Sequence, residues 1–234
     1  MGDEGVGRLA EALAVNSTLA TLNLYGNQVG DEGAGRLAGA LTTNSTLTTL
    51  NLNWDNVGDE GATKLAEALA INSTLIILDL SYNKVGAVGG GRLAEALAVN
   101  STLATLNLYG NQVGDEGAAR LAEALTTNST LTFLNLNSNK VGDEGARRLA
   151  EALVTNFSLT AVHFNWDSNT RRLADAHLDR NKANLEKKSA SLFFMLLPSL
   201  SLDDDELSED GMLSLDDIIT VKDQVLKVAT DVRC

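Results

Sequence analysis

The chain has 234 residues, of which 31 are acidic and 18 basic, so its formal net charge is −13. A field of that sign repels phosphate backbones and anionic lipid, so we expect neither nucleic acid nor a membrane as a partner. The lone cysteine, Cys234, excludes an internal disulfide, and the most apolar run, at residues 192–198, is too short to span a bilayer. These features predict a cytoplasmic protein, with the nucleus as the alternative location.

The chain opens with a helical pattern that no strand precedes. In the segment DEGVGRLAEAL, residues 3–13, Leu9 and Leu13 belong to an apolar face that nothing earlier in the sequence covers. Either the chain is a fragment of a longer protein, or this end is a surface for a partner. We therefore expect a monomer, or association through the N-terminal end.

Asparagine and leucine then recur with a period of 28 residues and without insertion or deletion. The asparagines are Asn16, Asn44, Asn72, Asn100, Asn128 and Asn156, and the leucines are Leu19, Leu47, Leu75, Leu103, Leu131 and Leu159. Each leucine opens a segment of the form LxxLxLxxN, such as LATLNLYGN at residues 19–27, or a close variant of it, such as LTAVHFNWD at residues 159–167. Leucines that alternate with polar residues are typical of a short strand with one buried face, so we predict six strands.

Each strand is followed by the pattern VGDEGAxxLAEAL, which predicts a helix. Asp31 stands at the start of its unit's helix, where its carboxylate would accept free backbone N–H groups of that same helix. Ala34, Leu37 and Leu41 then fall on one apolar stripe. Asn44 follows where helices commonly end in the left-handed conformation. Each unit is thus one strand and one helix, and stacking buries the apolar faces of both.

Three units depart from this pattern. The segment GAVGGGRLAEAL at residues 86–97 lacks the acidic start, so we expect its helix to fray most readily. Asp55 and Asp167 stand where other units have asparagine, and a carboxylate can accept but not donate hydrogen bonds. We expect these two turns to be irregular, with Asn56 as a substitute for the missing asparagine one residue later.

The units, such as LATLNLYGNQVGDEGAGRLAGALTTNST at residues 19–46, resemble leucine-rich repeats, and their length together with GDEGAxxLAEAL resembles the ribonuclease-inhibitor-like subfamily. This resemblance implies an α/β solenoid of six 28-residue units, with a curved parallel sheet on the concave side, helices on the convex side and a C-terminal helical cap. Proteins of that subfamily are cytosolic and bind other proteins. They include the sensor region of Nod-like receptors and a Ran GTPase-activating protein.

The period stops near residue 168, and the remaining sequence differs in character. We divide the chain into a leucine-rich repeat solenoid at 1–168, a capping helix at 169–200, an acidic linker at 201–213 and a short amphipathic helix at 214–234. A partner-binding helix is the alternative for the second part. We expect the last helix to pack on the capping helix, with dimerisation as the alternative.

The sequence offers no catalytic or metal-binding constellation. It contains no nucleotide-binding GxxxxGK[ST] motif, and its two histidines, His163 and His177, lack the spacing of metal ligands. The serines of the NST segments recur in most units, which disfavours a single activated nucleophile. We therefore expect no enzymatic activity, no metal and no cofactor.

Function should then lie on the strand residues that project between the buried leucines. Aromatic side chains with polar neighbours commonly anchor protein interfaces. The candidate partner-binding residues are Asn23, Tyr25, Asn51, Asn53, Trp54, Asp79, Tyr82, Asn107, Tyr109, Phe133, Asn135, His163 and Trp166. For each asparagine, hydrogen bonding within the sheet is an equally good explanation.

We interpret the chain as a non-enzymatic module that binds a protein partner, whose identity the sequence does not reveal, on the concave face. Two alternatives stay open. One is a GTPase activator resembling the Ran GTPase-activating protein, and the other is a fragment of a Nod-like receptor sensor.

Overall fold

The computed structural model describes residues 3–164 and 168–196, with side chains described over 4–164, at 171 and over 174–187. The chain forms two compact units, residues 1–181 and 182–234, and in the second only residues 182–196 are described. The expected acidic linker and final helix lie outside the described residues. Trp166 and Asp167 also lie outside them.

Strands and helices alternate through the described residues. The helices are α1 (Asp3–Val15), α2 (Gly30–Leu41), α3 (Asp59–Leu69), α4 (Ala87–Val99), α5 (Gly114–Leu125), α6 (Asp143–Thr155) and α7 (Ser168–Leu196). The strands are β1 (Thr21–Asn23), β2 (Thr49–Asn51), β3 (Ile77–Asp79), β4 (Thr105–Asn107), β5 (Phe133–Asn135) and β6 (Ala161–His163). This alternation confirms the predicted strand and helix of each unit.

The six strands form one parallel sheet in sequence order, and each residue pairs with the residue 28 positions later. Leu50, at the centre of β2, pairs with Leu22 and Leu78 and is completely buried. The helical stripe of Ala34, Leu37 and Leu41 is buried as well. Each fully buried leucine contributes about 1.5–3 kcal/mol, so the repeated leucines account for the sheet and its helical layer together. The predicted leucine-rich repeat solenoid is confirmed.

The periodic asparagines link successive units. We call Asn44, Asn72, Asn100, Asn128 and Asn156 the asparagine ladder; all five are buried. The Nδ2 atom of Asn100 donates to the carbonyls of Leu69 at 2.7 Å and Asn72 at 3.0 Å, in the preceding unit. Its Oδ1 accepts from the backbone N–H groups of Thr102 and Leu103. The predicted left-handed conformation is wrong here: Asn100 is extended, with φ −73° and ψ 132°, and its amide joins two units.

The acidic residue at each helix start also acts on a neighbouring unit. Asp31 lies inside the first turn of α2, and its Oδ1 accepts from the backbone N–H groups of Gly58 at 2.6 Å and Gly61 at 2.9 Å, at the start of α3. Asp59 does the same for α4, through Gly86 and Gly89. The prediction that Asp31 caps its own helix is therefore wrong. Asp31, Asp59 and Asp115 each cap the next helix along the chain.

This arrangement changes which helix lacks a cap. Helix α4 has no acid in its own first turn, yet its N-terminus is held by Asp59 from the unit before. The unit of α4 carries Ala87 where other units have aspartate. In helix α5, which follows, the N–H groups of Gly114 and Gly117 donate instead to backbone carbonyls, those of Asn139 at 2.9 Å and Val113 at 3.3 Å. The premise that α4 is the uncapped helix is wrong, because capping crosses from one unit to the next.

Apolar residues are buried at both ends of the first compact unit, including the N-terminal end, where the sequence predicted an open apolar face. In α1, Leu13 is buried in the core and Leu9 is partly buried against it. At the other end, the beginning of α7 buries Ala174 and Leu178. Leu13 therefore is not part of an exposed face.

Helix α7 also closes the asparagine ladder. Each ladder asparagine donates to the carbonyls of the residues 31 and 28 positions before it. By this spacing, the donor to the carbonyls of Leu153 and Asn156 would be at position 184. Arg180 supplies the donor instead: its Nη2 lies 3.0 Å from the carbonyl of Leu153 and 2.7 Å from that of Asn156. The Nδ2 of Asn181 donates to the carbonyls of Asn156 and Leu159. The carbonyls of Leu153, Asn156 and Leu159 thus have partners from α7.

Candidate protein-interaction surface

The polar residues at the last position of each strand stabilise the turn that follows. The Oδ1 of Asn23 accepts from the backbone N–H of Tyr25 at 3.0 Å, and the Oδ1 of Asn51 accepts from that of Asn53 at 2.9 Å. Asn107 and Asn135 make the same contact in their own units. The oxygens of these asparagines therefore have a structural role, and the amide nitrogens of Asn23 and Asn51 remain the groups that face a partner.

Asp79, the acidic member of this column, is held by its neighbours. Its Oδ1 accepts from both the backbone N–H and the hydroxyl of Ser81, and its Oδ2 accepts from the Nδ2 of Asn107 at 3.0 Å. The Ser81 hydroxyl in turn accepts from the Nδ2 of Asn53 at 2.6 Å. These bonds connect three strands and leave the carboxylate engaged within the sheet.

Three aromatic rings lie side by side where the strands end. We call Trp54, Tyr82 and Tyr109 the aromatic row. The ring centroids of Trp54 and Tyr82 are 5.0 Å apart with a tilt of 33°, and those of Tyr82 and Tyr109 are 4.8 Å apart and nearly perpendicular. Trp54 is 55% exposed and Tyr82 is 44% exposed. Tyr25, from the unit before, is 60% exposed. The structure therefore brings together the aromatic candidates of units two to four.

Two members of the row have a strained backbone. Trp54 has φ 60° and Tyr82 has φ 52°, in the left-handed region. The equivalent residues in units one and four are Gly26 and Gly110, each with φ 69°. A bulky residue costs about 1 kcal/mol or more in this conformation, and glycine costs almost nothing. Ser138 occupies the same position in unit five with φ 58°, so the turn does not require an aromatic residue.

Gly110 has a second role at the aromatic row. A Cβ atom at this position would lie 3.1 Å from the Cδ1 of Tyr82, closer than ordinary van der Waals contact. Gly110 therefore leaves the space that the Tyr82 ring occupies. This residue was not identified from the sequence, although the 28-residue period already aligned Gly26, Trp54, Tyr82 and Gly110.

The hydroxyl groups of the row are linked. The pKa of Tyr82 is raised above its ordinary value, mainly because its hydroxyl donates a hydrogen bond to Tyr109. The pKa of Tyr109 is lowered by that bond and by a second bond from Ser138. The opposite shifts of the two pKa values indicate that the Tyr82 and Tyr109 hydroxyls interact. Ser138 is another member of the site that was not identified from the sequence.

The other candidates form a second group towards the end of the sheet. The rings of Phe133 and His163 lie 5.1 Å apart, edge to face, on β5 and β6. Asn135, from the same strand as Phe133, is half-buried. The candidate residues therefore divide into the aromatic row with its asparagines and this smaller aromatic pair.

Asp55 lies directly after Trp54 and is completely buried. Its Oδ1 accepts from the backbone N–H groups of Asn27 at 2.7 Å and Val29 at 3.3 Å. Asn83 makes the equivalent contacts one unit later, to Asp55 and Val57. The prediction of an irregular turn with Asn56 as a substitute is therefore wrong, because the aspartate occupies the usual asparagine place.

Unlike an asparagine amide, the ionised carboxylate of Asp55 has no hydrogen to donate. The Nδ2 of Asn83 donates to the carbonyls of Leu52 and Leu80, whereas the Oδ2 of Asp55 is buried without a hydrogen-bond partner among the described residues. Burial raises the pKa of Asp55 above its ordinary value, against the lowering effect of the backbone N–H groups of Val29 and Asn27. A protonated carboxyl could donate as the amide does.

We expect Asp55→Asn to stabilise the fold by about 1–2 kcal/mol at pH 7. The asparagine amide can donate hydrogen bonds at this buried position, whereas the ionised carboxylate cannot. A raised folded-state pKa means that the contribution of Asp55 to stability is fully present below the unfolded pKa and is lost as pH rises through the folded pKa. The advantage of the variant should therefore shrink towards pH 4. Urea unfolding of both proteins at the two pH values measures this. A pH-independent difference would contradict the assignment.

Within the part of the chain that the structure describes, no three side chains of His, Cys, Asp or Glu are grouped to hold a metal ion. No described helix combines the length and the apolar character needed to cross a membrane.

Two solved structures are similar to this chain in fold. One is the structure of Leiomodin-1 Actin-Binding Site 2 (ABS2), with a TM-score of 0.55 and 17% identity, over 82% of this chain and 95% of that chain. The other is the tropomodulin C-terminal domain of Caenorhabditis elegans, with a TM-score of 0.53 and 14% identity, over 82% of this chain and 99% of that chain. At these identities the likeness concerns the fold alone.

The sequence itself matches the family model described as Leucine Rich repeat, and no curated protein matches it. The matched segments are residues 15–38, 43–66, 72–94, 99–122 and 127–150. Together they make up just over half of the chain, and they contain the strands β1 to β5 and most of the helical layer. The chain belongs to the leucine-rich repeat family.

Proposed function

We propose that the chain is a non-enzymatic interaction module that binds a protein partner through the aromatic row on the exposed face of its sheet. The observation that carries this proposal is the exposure of the contacting rings of Trp54 and Tyr82, at positions where Gly26, Gly110 and Ser138 serve the same turn. Exposed aromatic residues that the fold does not need are good candidates for binding hot spots.

The surrounding residues fit this role. Asn23, Asn51, Asn53 and Asn107 border the row and are held by their own hydrogen bonds, so little side-chain entropy is lost when a partner binds. Asp79 belongs to this fixed border. We place Phe133, Asn135 and His163 in a secondary contact region, and Trp166 remains a candidate from the sequence alone.

The test is a double variant that copies the chain's own glycine units. We expect Trp54→Gly with Tyr82→Gly to weaken binding of the partner about 30-fold, or roughly 2 kcal/mol, since two hot-spot side chains are lost. The free energy of unfolding should stay within about 1 kcal/mol of the wild-type value, because relief of backbone strain offsets the lost ring contacts. Capture of partners from a lysate of the source cells, quantified by mass spectrometry, would be followed by affinity measurement with the purified partner.

Ile71→Thr is the matched control. Ile71 is an exposed aliphatic residue after α3, and Thr43 and Thr127 occupy the equivalent position in other units. This variant removes exposed apolar surface away from the aromatic row, so it should bind the partner as the wild type does. Equal affinity of the double glycine variant and the wild type would refute the proposed site.

We extend the proposal to the subfamily of leucine-rich repeats and to the alternative functions. We assign the chain to the ribonuclease-inhibitor-like subfamily on the 28-residue unit and the pattern GDEGAxxLAEAL. Acceleration of GTP hydrolysis by added protein would support the GTPase-activator alternative and contradict a purely binding role. The leiomodin-1 structure of similar fold is an actin-binding site, so co-sedimentation with purified actin is a direct test of one specific partner.

A further inference from the structure

The face around the aromatic row has used its hydrogen-bond acceptors internally. The Oδ1 atoms of Asn23, Asn51 and Asn107 each accept from a backbone N–H two residues later. Both oxygens of Asp79 are engaged, one by Ser81 and the other by Asn107. A ligand that approaches this face therefore meets oxygens that each already have an internal donor, with only their remaining lone pairs left.

The groups left for a ligand are donors. The indole N–H of Trp54 and the amide N–H groups of Asn23 and Asn51 make no hydrogen bond among the described residues, and each is on a residue that is exposed or half-buried. The Tyr109 hydroxyl, at one end of the row, is a further group that can donate a hydrogen bond.

The row is therefore aromatic, rich in donors and poor in acceptors. Its electrostatic complement is a segment with exposed carbonyl oxygens, few N–H groups and apolar rings. Proline has no backbone N–H, and a polyproline II helix exposes all its carbonyls because it has no internal hydrogen bonds. An α-helix uses its carbonyls in internal hydrogen bonds, and a β-strand also needs acceptors for its own N–H groups, so both fit this face less well.

The length of the aromatic row agrees with that of one turn of a polyproline II helix. The two steps along the row, 5.0 Å from Trp54 to Tyr82 and 4.8 Å from Tyr82 to Tyr109, add to at most about 10 Å. One turn of a polyproline II helix spans about 9 Å, three residues at 3.1 Å each. Prolines three residues apart would thus face the two ends of the row at the same time.

Building on the proposed function, we propose that the aromatic row binds a proline-rich segment of its partner in the polyproline II conformation, with the Tyr109 hydroxyl and the Trp54 indole donating to the segment's carbonyls. The Tyr82 ring forms the centre of the contact surface. Gly110 keeps that ring in place by leaving room beside it.

The test uses fluorescein-labelled decaproline and the full chain, with fluorescence anisotropy as the measurement. We expect saturable binding, with the affinity reduced at least tenfold by Trp54→Gly with Tyr82→Gly and about fivefold by Tyr109→Phe, which removes only the hydroxyl. Ile71→Thr should bind as the wild type does. Circular dichroism melting curves verify that each variant is folded.

Three results would overturn the inference: no saturable binding up to millimolar decaproline, equal binding by the double glycine variant, or equal binding of a labelled glycine-serine decapeptide. Partner capture separates this outcome from the proposed function. If capture still depends on Trp54 and Tyr82 while decaproline fails to bind, the ligand class is wrong and the interaction site stands. If neither depends on these residues, both proposals fall.

Discussion

We expect Asn100→Ala to lower the free energy of unfolding by about 4 kcal/mol. The side chain is buried and satisfies four main-chain groups, the carbonyls of Leu69 and Asn72 and the N–H groups of Thr102 and Leu103. Alanine leaves all four without that partner, and each buried unpaired group costs about 1–3 kcal/mol. Urea unfolding followed by circular dichroism gives the difference directly.

The matched control is Asn16→Ala. Asn16 has the same place in its unit and accepts from the N–H groups of Thr18 and Leu19, but it is exposed, so water can replace its side chain. We expect this variant to lose about 1 kcal/mol or less. If Asn100→Ala cost no more than Asn16→Ala, the ladder would not contribute to the coupling of units.

The second large effect concerns the end of the sheet. Replacing Arg180 by alanine should lower the free energy of unfolding by about 3 kcal/mol, since charge-assisted hydrogen bonds contribute about 1.5–3 kcal/mol each and are not additive. The guanidinium donates to the carbonyls of Leu153, Val154 and Asn156 and lies 4.1 Å from the centroid of the Phe157 ring. Hydrogen exchange should increase first in α6 and β6.

Two variants distinguish this role from the loss of a charge. Arg180→Lys keeps the charge but not the planar fork that reaches several carbonyls, so it should recover less than half of the lost stability. Arg148→Ala removes a surface guanidinium that pairs with Glu144 and should cost about 0.5 kcal/mol. A similar loss for Arg148→Ala and Arg180→Ala would argue against capping by α7.

The fold could be predicted from the sequence because its signal is repeated in every unit. The spacing of the leucines predicts the same strand and the same helix in successive units. A local irregularity, such as the change at residues 86–97, therefore does not alter the predicted fold. The parallel sheet and its order follow, since stacked units of equal length place equivalent residues side by side.

The direction of the polar side chains could not be predicted in the same way. Asp31 is one residue from the start of α2, and sequence spacing alone favours its own helix. In the stacked structure the nearest free N–H groups belong to Gly58 and Gly61, which are 27 and 30 residues away. A strictly periodic chain offers each side chain equivalent partners in its own unit and the next, and only packing selects between them.

The candidate site could be predicted in part from the sequence. The aromatic residues and the flanking asparagines were identified from their place between the buried leucines, but their binding role remains a prediction. The strain at Trp54 and Tyr82 was missed, although their alignment with Gly26 and Gly110 was present in the sequence. Glycine at one repeat position indicates a left-handed turn, and that conformation extends to whichever residue occupies the position in other units.

The capping aspartates have a consequence for cooperativity. Because each of them joins two units, it strengthens the coupling between neighbours, which decides how far the loss of one unit spreads through a repeat protein. Among the described units this connection is interrupted after Ala87, between the third and fourth units. The sequence also begins to copy itself there, since residues 103–125 nearly repeat residues 19–41. The duplicated blocks of three units are thus joined without a capping aspartate, and their junction is held by the sheet and by Asn128, whose Nδ2 donates to the carbonyls of Leu97 and Asn100.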